Sequence, residues 1–441
     1  MRSSAAMPTR GMFLKSKAFS IIAATCHGNR GAQAMLETVV GRLSEIEPDL
    51  RFHVFSYYPK EDRCLIGDRR VTVHSSTPVA LVAWLLPWAL VFGVLRRVFG
   101  HRVLGLAPAA IRALGESVAL VDLAGVAFID GREKFLPFNV LTILPAWLLG
   151  TPVVKMPQAV GPFDRSLNRL AARLALPMCS MVWARGARTR EHLERAGFPG
   201  VRFAQADDIA FNFSSRWSLT HEGAAPLRGM LGQVQALRDG GSVRGVIGVC
   251  PSSVVATKSR KDGGHYESIL AGLVRELGAK GFLVVLFPNA TRAEAGNAER
   301  NNDLPLVRRI HSASAREASI EPLKVDFDID AGGIKTLIEC MDIVLVSRFH
   351  AMVGALSLGV PPAVLGWSHK YAEVMARFGL EQSVMDYQRP APDELMEAVV
   401  RVFDGRTAMH AMIRERLPEV QASADGPVAA LLTPGLGADL A

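Results

Sequence analysis

Cysteine is scarce in this sequence, and its five copies among 441 residues lie far apart. No two stand at metal-ligand spacing, and an odd number of separated thiols argues against a disulfide framework. Cys26 and Cys250 each end an apolar, strand-like run, so we predict that both are buried as small hydrophobic side chains. The pattern predicts a reducing compartment and no structural zinc.

Clusters of charge are also lacking. Charged residues make up 21% of the chain and hydrophobic residues 49%, which is the composition of a folded globular protein. The basic residues are dispersed and are not interleaved with aromatic residues, which argues against a nucleic-acid partner. The net charge of +8 fits anionic partners, such as phosphorylated substrates, anionic lipid or nucleic acid, but does not choose among them, and many soluble enzymes are equally basic for no specific reason.

One long hydrophobic run is present over residues 79–95, with Pro87 in its middle and Arg96 and Arg97 after it. It is slightly shorter than the ~20 apolar residues that a membrane-spanning helix needs. Three interpretations are open: a buried pair of helices or one that faces another subunit of a homo-oligomer, a helix lying in the membrane interface, and a span. The second interpretation places residues 79–97 in peripheral contact with a membrane.

Short β-branched apolar runs alternate with helical patterns along most of the chain, which is typical of βαβ units and a parallel sheet. We predict strands at 19–25, 51–56, 70–74, 118–121, 152–155, 180–183, 246–250, 282–287, 342–346 and 362–366. We predict helices at 32–46, 138–149, 165–176, 187–196, 265–280, 333–340, 350–358 and 370–378. The pattern predicts an α/β protein with two Rossmann-like domains facing a cleft, in which ligands bind at the carboxyl ends of strands.

A segment of weak apolar periodicity, rich in Gly, Ser, Arg and Gln, divides the two domains and is interpreted as a linker. The predicted ranges are 18–215 for the first domain, 79–99 for an apolar insertion in it, 213–243 for the linker, 244–420 for the second domain, and 1–17 and 422–441 for flexible ends.

Gly28-Asn29-Arg30-Gly31 forms a predicted turn between the first strand and the first helix. Such a turn exposes backbone N–H groups at the positive end of the helix dipole, which favours an anion. Most strand-to-helix turns bind nothing, so a purely structural role is the alternative.

Ser347, Arg348 and His350 follow a buried strand and begin the next helix, so they face the predicted cleft. Arginine offers a fork of donors to a phosphate or carboxylate, and histidine can transfer a proton near neutral pH. The alternative is a core histidine and a surface arginine. Lys370 begins the following helix and can reach the same cleft.

The order of these segments resembles the polysaccharide pyruvyltransferase family, over residues from about 19 to 380. The last block and its downstream lysine carry the most specific part of the resemblance. The matching segments are Gly28 to Gly31, Asp122 to Gly125 with Asp130, Pro157-Gln158 to Phe163, Arg185 to Leu193, Asp207-Asp208, Ser347 to His350, and Lys370.

The resemblance implies a GT-B-like glycosyltransferase architecture and transfer of the pyruvyl group of phosphoenolpyruvate to a sugar of a polysaccharide or of its lipid-linked precursor. It implies a cytoplasmic enzyme, with residues 244–420 on the donor side, 18–215 on the acceptor side, and no cofactor or metal. His350 is the implied proton donor or base. The implied donor-binding residues are Arg185, Arg348, Lys370 and Ser347. Candidates for the acceptor side or the cleft are Gly28, Asn29, Asp122, Asp130 and Gln158.

Two other functions are compatible with the sequence. A nucleotide-sugar glycosyltransferase of GT-B architecture would need a carboxylate for the ribose; the helix that begins at His350 offers none, though Glu373 lies nearby. A non-catalytic, membrane-associated polysaccharide assembly protein would suit the apolar run and two departures from the family pattern, at Ala32 and Gly186. Retention of Arg348, His350 and Lys370 together argues against that second alternative.

Overall fold

The computed structural model describes residues 18–214, 221–292, 302–316, 319–366, 369–388 and 391–433. The predicted flexible segment at 1–17 and the last residues, 434–441, lie outside this range. Within it, strands and helices alternate as the sequence predicts, and they form two parallel sheets.

The first half of the chain forms an eight-stranded sheet. Its strands are β1 (Ala18–Ile22), β2 (Arg51–Ser56), β3 (Val71–Ser75), β4 (Leu120–Asp122), β5 (Val126–Ala127), β6 (Val153–Val160), β7 (Met181–Arg185) and β8 (Phe203–Ala206). The order is β3-β2-β1-β4-β6-β7-β8, with β5 paired to β6, and every pair is parallel. The strand order reverses between β1 and β4, which creates a crevice at their carboxyl ends.

The second half forms a six-stranded sheet. Its strands are β9 (Gly245–Cys250), β10 (Phe282–Leu286), β11 (Leu323–Lys324), β12 (Ile343–Val346), β13 (Pro362–Gly366) and β14 (Val384–Asp386). The order is β11-β10-β9-β12-β13-β14, again with every pair parallel. The corresponding crevice lies between β9 and β12.

Helices cover these sheets on both faces. In the first half they are α1 (Arg30–Ile46), α2 (Pro59–Leu65), α3 (Pro78–Ala80), α4 (Leu86–Phe99), α5 (Ala109–Glu116), α6 (Leu136–Leu141), α7 (Leu144–Leu148), α8 (Ser166–Ala175) and α9 (Ala187–Ala196). The others are α10 (His221–Asp239), α11 (Ser253–Lys261), α12 (Tyr266–Ala279), α13 (Leu304–Ala315), α14 (Ala331–Glu339), α15 (Phe349–Leu358), α16 (His369–Arg377), α17 (Pro392–Asp404) and α18 (Arg406–Ala430).

The central strands are largely apolar because both of their faces are covered, although β4 and β6 carry the buried Asp122 and Lys155. Strand β9 is buried at every position. One hydrophobic core runs from the first sheet to the second, since Val121 of β4 and Val344 of β12 both belong to it. Two further cores lie on the outer faces of the sheets. All five cysteines are free thiols, and Cys26 and Cys250 are buried as predicted.

The segment predicted as a linker contains helix α10 instead. Leu227, Met230 and Val234 of α10 are buried in the core that the two halves share. Their spacing of three and four residues places them on one face of the helix. The polar and glycine residues between them weaken this periodicity in the sequence.

The chain end also differs from the prediction, because α18 continues to Ala430 where a flexible segment from 422 is predicted. Asp425 accepts a hydrogen bond from Arg42 Nε at 2.9 Å, and Val428 is buried. The proline and glycine residues of this segment indicate a break in the sequence, but packing against α1 stabilises the helix.

The long apolar run forms one continuous helix, Pro78–Phe99, rather than a pair. A π-helical turn at Leu81–Leu85 precedes Pro87, whose missing N–H and bulky ring do not fit an ordinary helical turn. Among the described residues it is the one helix long and apolar enough to cross a membrane, and only 28% of its most apolar window is buried in the protein.

Candidate active site

A cleft of about 400 Å³ opens where the carboxyl ends of the two sheets meet. Ser252 follows β9 and Ser347 follows β12, and both line the cleft at the point where the second sheet reverses its strand order. Gly125 and Arg185 line it from the first half. No Asp or Glu is among the described residues that line it, so the cleft is strongly cationic.

Arg348 is the N-cap of α15, and its side chain is fixed at the cleft by a buried carboxylate. Its Nε donates to Oδ2 of Asp303 at 2.9 Å, and its Nη2 donates to Oδ1 of the same residue. Nη2 also donates to the hydroxyl of Ser253 at 3.1 Å. This bidentate pair holds the guanidinium in one orientation. The neighbouring Ser347 is buried, and its hydroxyl accepts a hydrogen bond from Tyr266 at 2.8 Å.

Arg185 ends β7 and enters the cleft from the other side. Its Nη1 donates to Asp208 Oδ2 at 2.7 Å, and its Nη2 donates to the Gly125 carbonyl at 2.9 Å. Its guanidinium lies 4.4 Å from the ring centroid of Phe349. Its Nε is buried and has no hydrogen-bond partner in the described part of the chain.

Asp208 is fully buried, and burial alone would raise its pKa. The charge of Arg185 and the nearby His350 outweigh that effect and lower the pKa of Asp208 below its usual value. The carboxylate is therefore ionised and balances part of the positive charge of the cleft.

His350 lies between the two halves of the molecule. Its ring packs on α1 at Gly31, where an added Cβ would lie 2.0 Å from the imidazole Nδ1. Its Nε2 faces Asp208 Oδ2 at 3.7 Å, which is too long for a hydrogen bond. Burial lowers the pKa of His350 to about 4, and Asp208 opposes this shift. The positive charges of Arg185 and Lys370 lower the pKa of His350 further, so the imidazole is neutral near pH 7.

Lys370 lies in the first turn of α16, and its ammonium nitrogen is 4.8 Å from the ring centroid of Phe349. Burial lowers the pKa of Lys370 to about 7, and the charges of Arg185 and Arg132 contribute to the shift. This lysine can therefore bind an anion as a cation or give up a proton near neutral pH. Arg185, Arg348, His350 and Lys370 thus line one cleft, although they come from three distant segments of the sequence.

Sequence reasoning missed three charged residues of the site. Arg132 lines the cleft. It lies two positions after the predicted candidate Asp130, so the sequence around Asp130 did indicate a part of the site. Asp208 lies in a segment that supported the family resemblance, but its pairing with Arg185 depends on the fold. Asp303 lies in a stretch without a recognisable motif, and no sequence pattern indicates its contact with Arg348.

The turn at residues 28–31 has a structural role. The Asn29 side-chain oxygen accepts hydrogen bonds from the Gly31 and Ala32 N–H groups at 3.2 and 3.3 Å. The N–H groups that would hold an anion are thus capped by the chain itself. Asn29 still lines the cleft, whereas Gly28, at φ +76°, packs beside the side chain of Arg292.

The other acceptor-side candidates lie outside the cleft. Asp122 is buried in an ion pair with Lys155. Asp130 accepts a hydrogen bond from Asn168 at 2.7 Å at the start of α8. Gln158 is fully buried in β6. None of these three predicted residues is among the residues that line the cleft.

Residues 29–369 match the model of the family described as polysaccharide pyruvyl transferase. This chain belongs to the polysaccharide pyruvyl transferase family. Membership confirms the resemblance seen in the motifs and supports a transferase that acts in polysaccharide pyruvylation.

Solved structures with a similar fold include enzymes that act on nucleotide sugars. A UDP-GlcNAc 2-epimerase from Neisseria meningitidis is 11% identical, with a TM-score of 0.54 over 94% of this chain and 99% of that one. A UDP-forming α,α-trehalose-phosphate synthase from Burkholderia vietnamiensis is 14% identical, with a TM-score of 0.55 over 96% and 98%. Anabaena HepE in complex with UDP-glucose is 14% identical, with a TM-score of 0.51 over 94% and 96%. These likenesses show the fold alone, and they confirm the predicted GT-B-like architecture of the family member.

Proposed function

We propose that this family member transfers the pyruvyl group of phosphoenolpyruvate to a sugar of a polysaccharide or of its lipid-linked precursor, and so forms a pyruvate ketal. One observation carries the proposal: several cations and a neutral imidazole converge on a cleft whose described lining has no carboxylate. Phosphoenolpyruvate has both a phosphate and a carboxylate, so it needs several cations. Those of the cleft are Arg132, Arg185, Arg348 and Lys370.

Arg185, Arg348 and Lys370 hold the two anionic groups of the donor. Both arginines are already oriented by buried carboxylates, so little side-chain freedom is lost when the donor binds. Ser347 contributes through its position beside Arg348, where its hydroxyl is fixed by Tyr266.

The reaction places one proton on the methylene carbon of phosphoenolpyruvate and removes one from each of two sugar hydroxyls. The first sugar oxygen bonds to the enol carbon. The bond between that carbon and the ester oxygen of the phosphate breaks, and the second sugar oxygen then bonds to the same carbon and closes the ketal. Phosphate leaves with the second proton, so the protons balance. His350 is neutral at rest and suits the base that takes a hydroxyl proton. Lys370, with a pKa of about 7, suits the donor of the proton to carbon.

The acceptor sugar enters from the side of the first half. Phe135 and Phe138 line that side, and aromatic rings stack well on the apolar faces of sugars. Asn139 offers an amide that donates to and accepts from hydroxyls. These residues replace Asp122 and Asp130 as acceptor candidates.

We propose that the enzyme works in the cytoplasm with phosphoenolpyruvate as its co-substrate and with no cofactor or metal. The free state of all five cysteines supports a reducing compartment.

The test follows phosphate release from phosphoenolpyruvate over a panel of free and lipid-linked sugars. With the best acceptor, we expect His350→Gln to lower turnover by about 100-fold or more, because proton transfer contributes that much to catalysis. His265→Gln, at an exposed position on the second half, is the matched control and keeps wild-type turnover.

Turnover of His350→Gln within a few-fold of the wild type would remove His350 from the reaction. Sugar transfer from a UDP-sugar panel, with no phosphate release from phosphoenolpyruvate, would favour the glycosyltransferase alternative. Against that alternative, the Glu373 carboxylate already accepts a hydrogen bond from the Arg188 N–H at 2.7 Å and so caps α9.

A further inference from the structure

Helix Pro78–Phe99 exposes a continuous apolar surface. We call this surface the α4 face and define it by Trp84, Leu90, Val91, Val94, Val98 and Phe99, which are 48–70% exposed. Contiguous exposed apolar patches of more than about a few hundred Å² are rare on soluble monomers and mark interaction sites.

The opposite side of the same helix is fixed to the protein. Leu81, Leu85 and Ala89 are buried in the outer core of the first half. At Gly93 an added Cβ would lie 2.5 Å from the Leu148 carbonyl oxygen, so the helix packs closely on α7. Because one side is packed along its length, the helix lies flat on the first half and presents the α4 face outwards.

The charged residues of the segment that carries the α4 face are all arginines. Residues 71–115 contain four arginines and no Asp or Glu. Arg97 and Arg102 are exposed at the end of the helix and just after it. An apolar surface bordered by arginines complements a bilayer with anionic headgroups. A second copy of this segment would offer these arginines no carboxylate partner, because the segment has none.

We propose that the α4 face docks on the surface of an anionic lipid bilayer, with its apolar side chains among the acyl chains and its arginines at headgroup level. The helix lies in the plane of the interface and does not cross the bilayer. This surface is separate from the cleft, so the proposal stands whether or not the protein is a pyruvyltransferase.

The test is cosedimentation of the full chain with vesicles of phosphatidylcholine alone and of phosphatidylcholine mixed with phosphatidylglycerol. We expect binding to the anionic vesicles that weakens as salt is added. The double variant Val91→Glu/Val94→Glu places two charges in the acyl region, so its partition coefficient should fall about tenfold or more. Ile46→Glu is the matched control, because Ile46 is 54% exposed at the end of α1, away from the α4 face, and its variant should bind like the wild type.

Arg97→Gln/Arg102→Gln gives a second test that leaves the apolar residues unchanged, and it should lower binding to anionic vesicles only. Absence of wild-type binding to both kinds of vesicle would overturn the proposal. So would wild-type binding by Val91→Glu/Val94→Glu, or a lipid-free dimer that this variant dissociates, which would make a second copy the occupant.

Discussion

The charge of the cleft depends on the protonation of Lys370 and His350, because its arginines stay charged at ordinary pH. With pKa values of about 7 and about 4, the resting site holds a charged lysine and a neutral histidine between these values. An anionic donor favours the charged form of both groups and raises both pKa values when it binds. Donor binding is therefore coupled to proton uptake.

A pH dependence of donor affinity follows at Lys370. Free Lys370 loses its proton as the pH rises through about 7, so the affinity for phosphoenolpyruvate should fall by up to about tenfold per pH unit above that value. Isothermal titration calorimetry between neutral and alkaline pH measures this slope. Lys370→Arg stays charged and should bind the donor with a nearly flat profile.

The donor phosphate ionises in the same way in the titrations of the wild type and of Lys370→Arg. The difference between their two slopes of affinity against pH therefore isolates the contribution of Lys370. Equal slopes in the wild type and in Lys370→Arg would show that Lys370 does not contact the donor.

The residues of the site were predictable where one segment carries several of them. Ser347, Arg348 and His350 share one turn after a buried strand, which makes them recognisable. Asp303, which pairs with Arg348, and Asp208, which faces His350, come from other segments and become neighbours only in the fold. The acidic candidates Asp122 and Asp130 lie outside the cleft. In the sequence, a carboxylate near a glycine turn looks alike whether it binds a ligand or, like Asp122, forms a buried ion pair.

At the scale of elements, the sequence predicts buried strands well and irregular helices poorly. Strands β2 and β13 have the predicted bounds. Strand β13 is buried at every position and is a continuous apolar run, whereas β2 begins with side chains that alternate between exposed and buried. Helices α10 and α18 contain proline and glycine, which local propensity interprets as breaks. Their stability comes from tertiary packing.

Helix α10 provides a test of whether tertiary packing stabilises such a helix. Leu227→Ala would remove a buried side chain from the shared core and should lower the free energy of unfolding by about 2–5 kcal/mol, as measured by denaturant unfolding. Gln233→Ala, at an exposed position of α10, should change it little. A negligible effect of Leu227→Ala would mean that the segment behaves as a linker.

At the scale of the whole molecule, the site is assembled from both halves, and so is the contact that positions His350. Arg30 at the start of α1 donates from Nε to Thr291 Oγ1 of the second half at 3.0 Å and pairs with Asp328. One residue further along α1, Gly31 accommodates the His350 ring. The first turn of α1 thus sets the distance between the halves and the place of the imidazole.

Gly31→Ala should therefore impair catalysis. The new methyl group would overlap the imidazole, so His350 or the second half must shift, and a shift of about 1 Å can cost about 100-fold in turnover. Phosphate release gives the turnover, and thermal unfolding reports the fold. Gly229→Ala on α10, where an added Cβ meets open space, is the matched control. Wild-type turnover in Gly31→Ala would show that the imidazole position is not critical.

The sequence by itself determined the α/β class, most strand positions, the family, and the segment that carries Arg348 and His350. These follow from local periodicity and from motifs that lie within single segments. Tertiary structure alone decided the role of Gly31, the pairing of Arg348 with Asp303, and the exposure of the α4 face. It did so because burial, pKa and contact depend on which distant segments the fold brings together.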